Sequence, residues 1–254
     1  MLLAFDLDNT IITADDRLPG EIAEAIEAAR RRGHHISVLT GRPLSAAIGF
    51  IEQLGVSHYS VNNGALVVAE GEVLERIVIP QGKVEALAQR YVGDETLEYA
   101  FMQGDTIYVR NPEDQRWTWA HTSNRNVEPF DQHEVGEADK IVFATDGRGE
   151  AMLKEIGAIH PELILYLWGD GFLEVTGEGA HKGAALERLS ERLCVAQGDT
   201  VAFGDGVNDV TMLQWAGRSV AVGHAYDEAR DAADEHIPSP EEGGVARWIG
   251  DNLF

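Results

Sequence analysis

The chain has 254 residues, 44% of them hydrophobic, with 43 acidic against 20 basic side chains and a formal net charge of -23. That length and apolar content support one large or two modest folded domains and argue against a disordered chain. So acidic a balance offers no basic footprint for nucleic acid and none for an anionic membrane surface, so an anionic substrate needs a local positive site, such as a metal with a few Lys or Arg side chains.

In chain order, Leu2 to Phe5 is a short apolar run ending in an acidic turn, the pattern of a strand buried in a parallel sheet. Pro19 to Arg32 is predicted helical, with Ile22, Ala25, Ile26 and Ala29 on one face and Gly33 as the stop. A strand over His35–Leu39, a helix over Leu44–Leu54 and a strand over Tyr59–Val61 follow. This alternation is the grammar of a doubly wound, mostly parallel Rossmann-like α/β sheet. Ala65–Val68 and Val73–Ile79 then read as a hairpin, and Pro80-Gln81-Gly82 as a hinge.

From residue 82 to residue 177 the pattern changes. A helix is predicted over Val84–Tyr91, a hairpin over Leu97–Gln103 and Thr106–Arg110, a strand over Lys140–Thr145 and a helix over Gly149–Ile159. Paired strands at Leu163–Trp168 and Phe172–Val175 turn at Gly169-Asp170-Gly171. The stretch between Asn111 and Gly136 has no assignable pattern. The first grammar resumes with a helix over Lys182–Leu193, a strand over Thr200–Phe203, a helix over Val210–Ala216, a strand over Ser219–Val222, and helices over Tyr226–Ala233 and Gly244–Ile249. The organisation expected is a catalytic core of residues 1–81 and 178–254, split by an inserted α+β domain of residues 82–177.

The single cysteine, Cys194, rules out an intrachain disulfide, and its apolar neighbours Leu193 and Val195 predict a buried structural thiol. The opening apolar run stops at Asp6 without a basic lead-in, and no apolar run approaches the ~20 residues that span a bilayer. A cytoplasmic protein is the expectation, as a monomer or small homo-oligomer.

Open α/β sheets bind ligands beyond the carboxyl ends of their strands. Here those ends carry Asp6-Leu7-Asp8-Asn9-Thr10, Thr40-Gly41-Arg42 and Gly204-Asp205-Gly206-Val207-Asn208-Asp209. Together they make a carboxylate cluster without thiol or imidazole, the donor set of a hard ion such as Mg2+. In Asp6-x-Asp8 the two carboxylates can divide labour, one ionised as a nucleophile and the other carrying a proton; taken alone they are equally a pair of turn acids. Thr40-Gly41 offers N–H groups and a hydroxyl to an anion, and is also a plain helix cap. Lys182 opposes the dipole of the helix it opens, a cost best explained by nearby acids and a phosphoryl oxygen, unless it is simply exposed. Asp205, Asn208 and Asp209 supply a second carboxylate-bearing loop, or an ordinary capped turn.

With Phe5-Asp6-Leu7-Asp8-Asn9-Thr10, Val38-Leu39-Thr40-Gly41-Arg42, His181-Lys182-Gly183 and Gly204-Asp205-Gly206-Val207-Asn208-Asp209 in this order, the chain resembles the haloacid dehalogenase superfamily of phosphohydrolases. It is most similar to the sugar-phosphatase branch, called Cof-type or subfamily IIB, whose large cap lies between the second and third motifs. Asn62-Asn63-Gly64-Ala65 and Gly243-Gly244-Val245 also resemble that branch.

The resemblance implies a Mg2+-dependent phosphatase acting on a small phosphorylated metabolite, a sugar phosphate or phosphoglycolate-like acid. In it Asp6 attacks phosphorus and Asp8 protonates the leaving oxygen, then activates water. Thr40, Gly41, Lys182 and Asn208 hold the phosphoryl group. Asp6, Asp8 through its carbonyl, Asp205 and Asp209 serve the metal. Two positions depart from the family pattern: Asn9 replaces the usual Gly, which Asn can mimic in the left-handed conformation, and His224 interrupts a common Gly-Asn-Ala run. Arg110, Arg116, Trp117, Trp119 and His121 are candidates in the insert for gripping a substrate, or for its core and surface. The competing functions are a phosphomutase of the phosphomannomutase type and a catalytically silent binding protein.

Overall fold

A computed structural model describes residues 1–122, 126–130, 136–169 and 171–254. In chain order the elements open with strand β1 (Leu2–Phe5), helix α1 (Gly20–Arg31), β2 (His35–Leu39), α2 (Leu44–Gln53), β3 (His58–Val61), β4 (Leu66–Ala69) and β5 (Glu72–Arg76). There follow α3 (Gln81–Tyr91), β6 (Glu98–Gln103), β7 (Thr106–Val109), α4 (Thr118–Thr122), β8 (Asn126–Pro129), β9 (Lys140–Ala144), α5 (Gly149–Ile159), β10 (Ile164–Leu167) and β11 (Phe172–Thr176). The last stretch holds α6 (Lys182–Arg192), β12 (Thr200–Gly204), α7 (Val210–Trp215), β13 (Arg218–Val222), α8 (Asp227–Ala232), β14 (Glu235–Ile237) and α9 (Gly244–Leu253).

Two compact units result. One comprises Met1–Arg42, Ala47–Glu75 and His181–Phe254; the other comprises Pro43–Ala46 and Arg76–Ala180. The first is an α/β unit whose sheet runs β14-β13-β12-β1-β2-β3-β4-β5. Strands β14 through β3 are parallel, and β4 returns antiparallel on β3. Chain order runs outward from β1 in one direction and from β12 in the other. These two neighbours therefore flank the reversal in strand order, where a doubly wound sheet leaves a crevice at its carboxyl edge.

Both central strands are apolar on both faces, as burial under helices on either side requires: every residue of β1 and of β12 is buried. Phe5 and Phe203 lie opposite in register and stack at 4.7 Å. Leu2, Ala4 and Ala202 face the other way, into a core with Leu186 and Leu189 of α6 and Met212 of α7. That packing brings α6 and the loop after β12 to the end of β1.

The second unit is built on the sheet β10-β11-β9-β6-β7-β8. Its strands pair antiparallel except β7 and β8. Along β9 the side chains alternate: Ile141 and Phe143 pack with Val84 and Leu87 of α3 and Met152 and Ile156 of α5, while Val142 and Ala144 pack with Trp117 and Ala120.

Several expectations change. Residues 80–82 begin a helix inside the second unit: Pro80 precedes it and Gln81 opens it, a position where proline's missing N–H costs nothing. Strand β5 stops at Arg76, because Ile79 is drawn into the second unit's core and bridges Ala138, with Ile79 N donating to Ala138 O at 2.7 Å. The stretch after Asn111 contains a 3-10 turn at Gln115–Trp117, α4 and β8. Strand β14 is not evident from sequence, because two of its three residues, Glu235 and His236, carry no strand signal. Cys194 is exposed, not buried: it takes φ 53° just beyond α6, a turn position that directs it to solvent. Of the turn at residues 169–171, Asp170 lies outside the described residues. No described helix is long and apolar enough to cross a membrane.

Candidate active site

The carboxyl end of β1 delivers Asp6, whose N–H donates to Phe203 O at 3.0 Å and so continues the parallel pairing with β12. Its side chain lies on the α6 side of the sheet, where Lys182 Nζ donates to Asp6 Oδ1 at 2.6 Å and to Asp209 Oδ1 at 2.5 Å. Lys182 and Asp209 are completely buried and Asp6 is nearly so. Lys182 occupies the first turn of α6, capped by His181, whose Nδ1 accepts from Ala184 N at 3.1 Å. Two carboxylates offset the unfavourable helix dipole there.

Asp209 closes the loop after β12. Its Oδ2 accepts from the N–H groups of Asp205 and Gly206 at 2.9 and 2.8 Å, so both its oxygens are occupied. Gly204 permits this turn, since a Cβ there would lie 2.5 Å from the Asp209 Cγ. Asp205 is held by Thr10 Oγ1, which donates to its Oδ1 at 3.2 Å. Asp6, Asp205 and Asp209 each offer an oxygen within 4.8 Å of the others.

These are three buried acids against one ammonium. Burial pushes the Asp6 carboxyl well up; Lys182 opposes that, and the neighbouring acids add to it. Burial, then the Asp209 charge, raises Asp205 to about 7. Burial alone would depress the Lys182 ammonium, but Asp209 and Asp6 outweigh it and keep it protonated. A site with two more acids than ammonium groups, and only hard oxygen donors, fits a divalent ion of the Mg2+ kind that displaces their protons.

A second cluster surrounds Thr40, which is completely buried. Thr40 Oγ1 accepts from Arg42 N at 3.1 Å. Asn208 Nδ2 donates to Asn63 Oδ1 at 2.8 Å, and Gly41 packs so closely that a Cβ on it would stand 2.8 Å from that oxygen. Asp8 is only half-buried, and its carboxylate is paired with Arg42 rather than grouped with the other three acids. Asn9 takes φ 54°, the left-handed turn expected of it. His224 is exposed, and the structure gives no account of why it stands there.

Sequence reasoning missed Thr10, Asn63 and the Arg42 pairing. The signal for Asn63 was the Asn62-Asn63-Gly64 run, where φ is 51°, 58° and 100° in succession, values that only Asn and Gly adopt readily. The candidates in the insert make contacts inside it, Trp119 by edge-on stacking against Trp117 and Phe172. Trp117 is completely buried and donates to Glu98 Oε2 at 3.2 Å; Arg116 binds Asp114, Asp146 and the Thr96 carbonyl. Arg110 donates to the Asp94 carbonyl at 2.7 Å, and His121 sits 2.8 Å from the Pro112 carbonyl.

The family model of the haloacid dehalogenase-like hydrolases matches residues 3–249. The chain belongs to this family. It is 28% identical over 250 residues to YkrA of Bacillus subtilis, covering 96% of this chain and 95% of that one. It is 26% identical over 261 residues to YitU of the same organism, a 5-amino-6-(5-phospho-D-ribitylamino)uracil phosphatase, covering 98% and 96%. Among solved structures, the haloacid dehalogenase subclass IIB sugar phosphatase BT4131 aligns with a TM-score of 0.88 at 26% identity over 98% of both chains. The chain is thus an enzyme of a family whose named relatives and structural neighbours are phosphatases.

Proposed function

We propose that this enzyme hydrolyses phosphomonoesters of small metabolites through a covalent phosphoryl intermediate on Asp6. The observation that carries the reading is the buried group of Asp6, Asp205, Asp209 and Lys182 at the strand-order reversal. Asp6 would hold an anionic oxygen in line with phosphorus. Asp8, half-exposed two residues further on, would give a proton to the departing oxygen and later take one from the attacking water. Lys182, Thr40, Gly41 and Asn208 would hold the phosphoryl oxygens, which need positioning and charge neutralisation above all. Asp6, Asp205 and the main chain of Asp8 would hold Mg2+, with Asp209 holding Lys182 and the loop. A bound Mg2+ would neutralise the excess negative charge and so admit a phosphate dianion.

The inserted unit is assigned to substrate choice. The relatives' substrates, a phosphorylated ribitylaminouracil for YitU and HMP-PP for relatives in Cronobacter sakazakii and Yersinia pestis, favour small phosphorylated metabolites. The test is phosphate release from p-nitrophenyl phosphate and a panel of sugar phosphates with and without Mg2+. Release that needs the ion and no bisphosphate activator supports the reading; no release from any of them overturns it.

A further inference from the structure

Arg42 ends the β2 motif, and its guanidinium reaches back across the first loop. Nε donates to Asp8 Oδ2 at 2.9 Å and to Oδ1 at 3.2 Å, and Nη2 pairs with Asp8 Oδ1 as well, making a two-pronged clasp. The same Nη2 donates to Asp16 Oδ1 at 2.6 Å. The Arg42 side chain is 17% exposed, whereas those of Asp8 and Asp16 are 50% and 64% exposed. Phe50 lies beneath the guanidinium, 5.3 Å from ring centroid to Cζ. Asp16 presents its carboxylate from a turn held by Asp16 N donating to Thr13 O at 2.9 Å, with φ 59°.

An exposed carboxylate on a loop has several rotamers, and a lone surface ion pair would be weak. A planar fork differs: it fixes both oxygens of its partner, and here it is itself pinned by packing and by a second acid. We infer that Arg42 is a positioning residue that orients the Asp8 carboxyl toward the leaving oxygen, and that Asp16 holds Arg42 in place to do so. This rests on the proposed role of Asp8 as proton donor. It makes Asp16-Arg42-Asp8 a relay of orientation, with no bond made or broken by Arg42 itself.

The effect should show in how the rate depends on the leaving group, because proton donation matters most when the departing oxygen is strongly basic. The experiment measures kcat/KM with Mg2+ for a series of aryl phosphates from p-nitrophenyl to phenyl phosphate, together with glycerol phosphate. Arg42→Ala should lose little on p-nitrophenyl phosphate and at least about tenfold more on the esters with basic leaving groups, about 1.4 kcal/mol of transition-state stabilisation. Asp16→Asn should shift in the same direction by less, and Arg42→Lys should recover part of the loss. If Arg42→Ala lowers every ester by one factor, or raises KM uniformly as a lost phosphate contact would, the inference is overturned. Should Arg42→Ala fail to fold, Arg42→Lys and Asp16→Asn carry the same comparison, and an unchanged leaving-group dependence in both refutes it. No phosphate release by the unaltered enzyme would instead defeat the proposed function.

Discussion

Lys182 and Asp209 form an ion pair at 2.5 Å with both side chains wholly out of water, while the same ammonium reaches Asp6 at 2.6 Å. Removing one partner from such a pair leaves buried charge uncompensated, which costs about 3–5 kcal/mol. Lys182→Met, matched in volume, should therefore lower the urea unfolding midpoint sharply in the absence of Mg2+ and abolish turnover. Adding Asp209→Asn should recover part of the stability and none of the activity. Equal stability of Lys182→Met and the unaltered chain would mean that the acids do not depend on the lysine.

The raised Asp205 carboxyl predicts a pH dependence of stability in metal-free protein. An acid whose folded value lies above its unfolded one stabilises the fold while protonated. That contribution is complete below the unfolded value of 3.8 and is lost as pH rises through about 7. Between pH 5.5 and 8 in EDTA, the unfolding free energy should fall by at most about 1.4 kcal/mol per pH unit for this proton. Asp205→Asn should flatten that slope. Mg2+, which competes with protons for the same oxygens, should stabilise the chain more at pH 8 than at pH 5.5. A Mg2+ effect equal at both values would contradict this.

Asn63 separates a backbone role from a side-chain role. Its φ of 58° suits Asn or Gly, and its Oδ1 accepts from Asn208 Nδ2 at 2.8 Å. Asn63→Gly should keep the turn and leave Asn208 unsteered, with stability little changed and kcat/KM down about tenfold, the worth of one good polar contact. Asn63→Ala should lose stability as well, by about 1–2 kcal/mol of left-handed strain. Full activity in Asn63→Gly would exclude the steering role.

How far the sequence reveals the fold follows from which signals are local. Apolar Leu2–Phe5 and Thr200–Phe203 reveal themselves because both faces of a central parallel strand are buried. Strand β14 does not: its Glu235 and His236 are polar, and the strand exists because β13 offers a free edge. Asp6, Lys182, Asp205 and Asp209 stand in short motifs at strand or helix ends, so the topology brings them together once the doubly wound grammar is recognised. The Asp8–Arg42 clasp joins residues 34 apart through one rotamer each, and no periodicity encodes that. Trp117, a candidate for touching substrate, is core because Ala100, Val109 and Val142 of neighbouring strands close over it, a long-range fact outside any local pattern.

In the proposed mechanism Asp6 accepts the phosphoryl group. Mass spectrometry of enzyme acid-quenched during turnover of p-nitrophenyl phosphate with Mg2+, followed by peptide mapping, tests it most directly. One added phosphoryl group is expected on the peptide containing Asp6 and none in Asp6→Asn, which should fold and release no phosphate. A phosphoryl group on another residue, or steady turnover by Asp6→Asn, would contradict it.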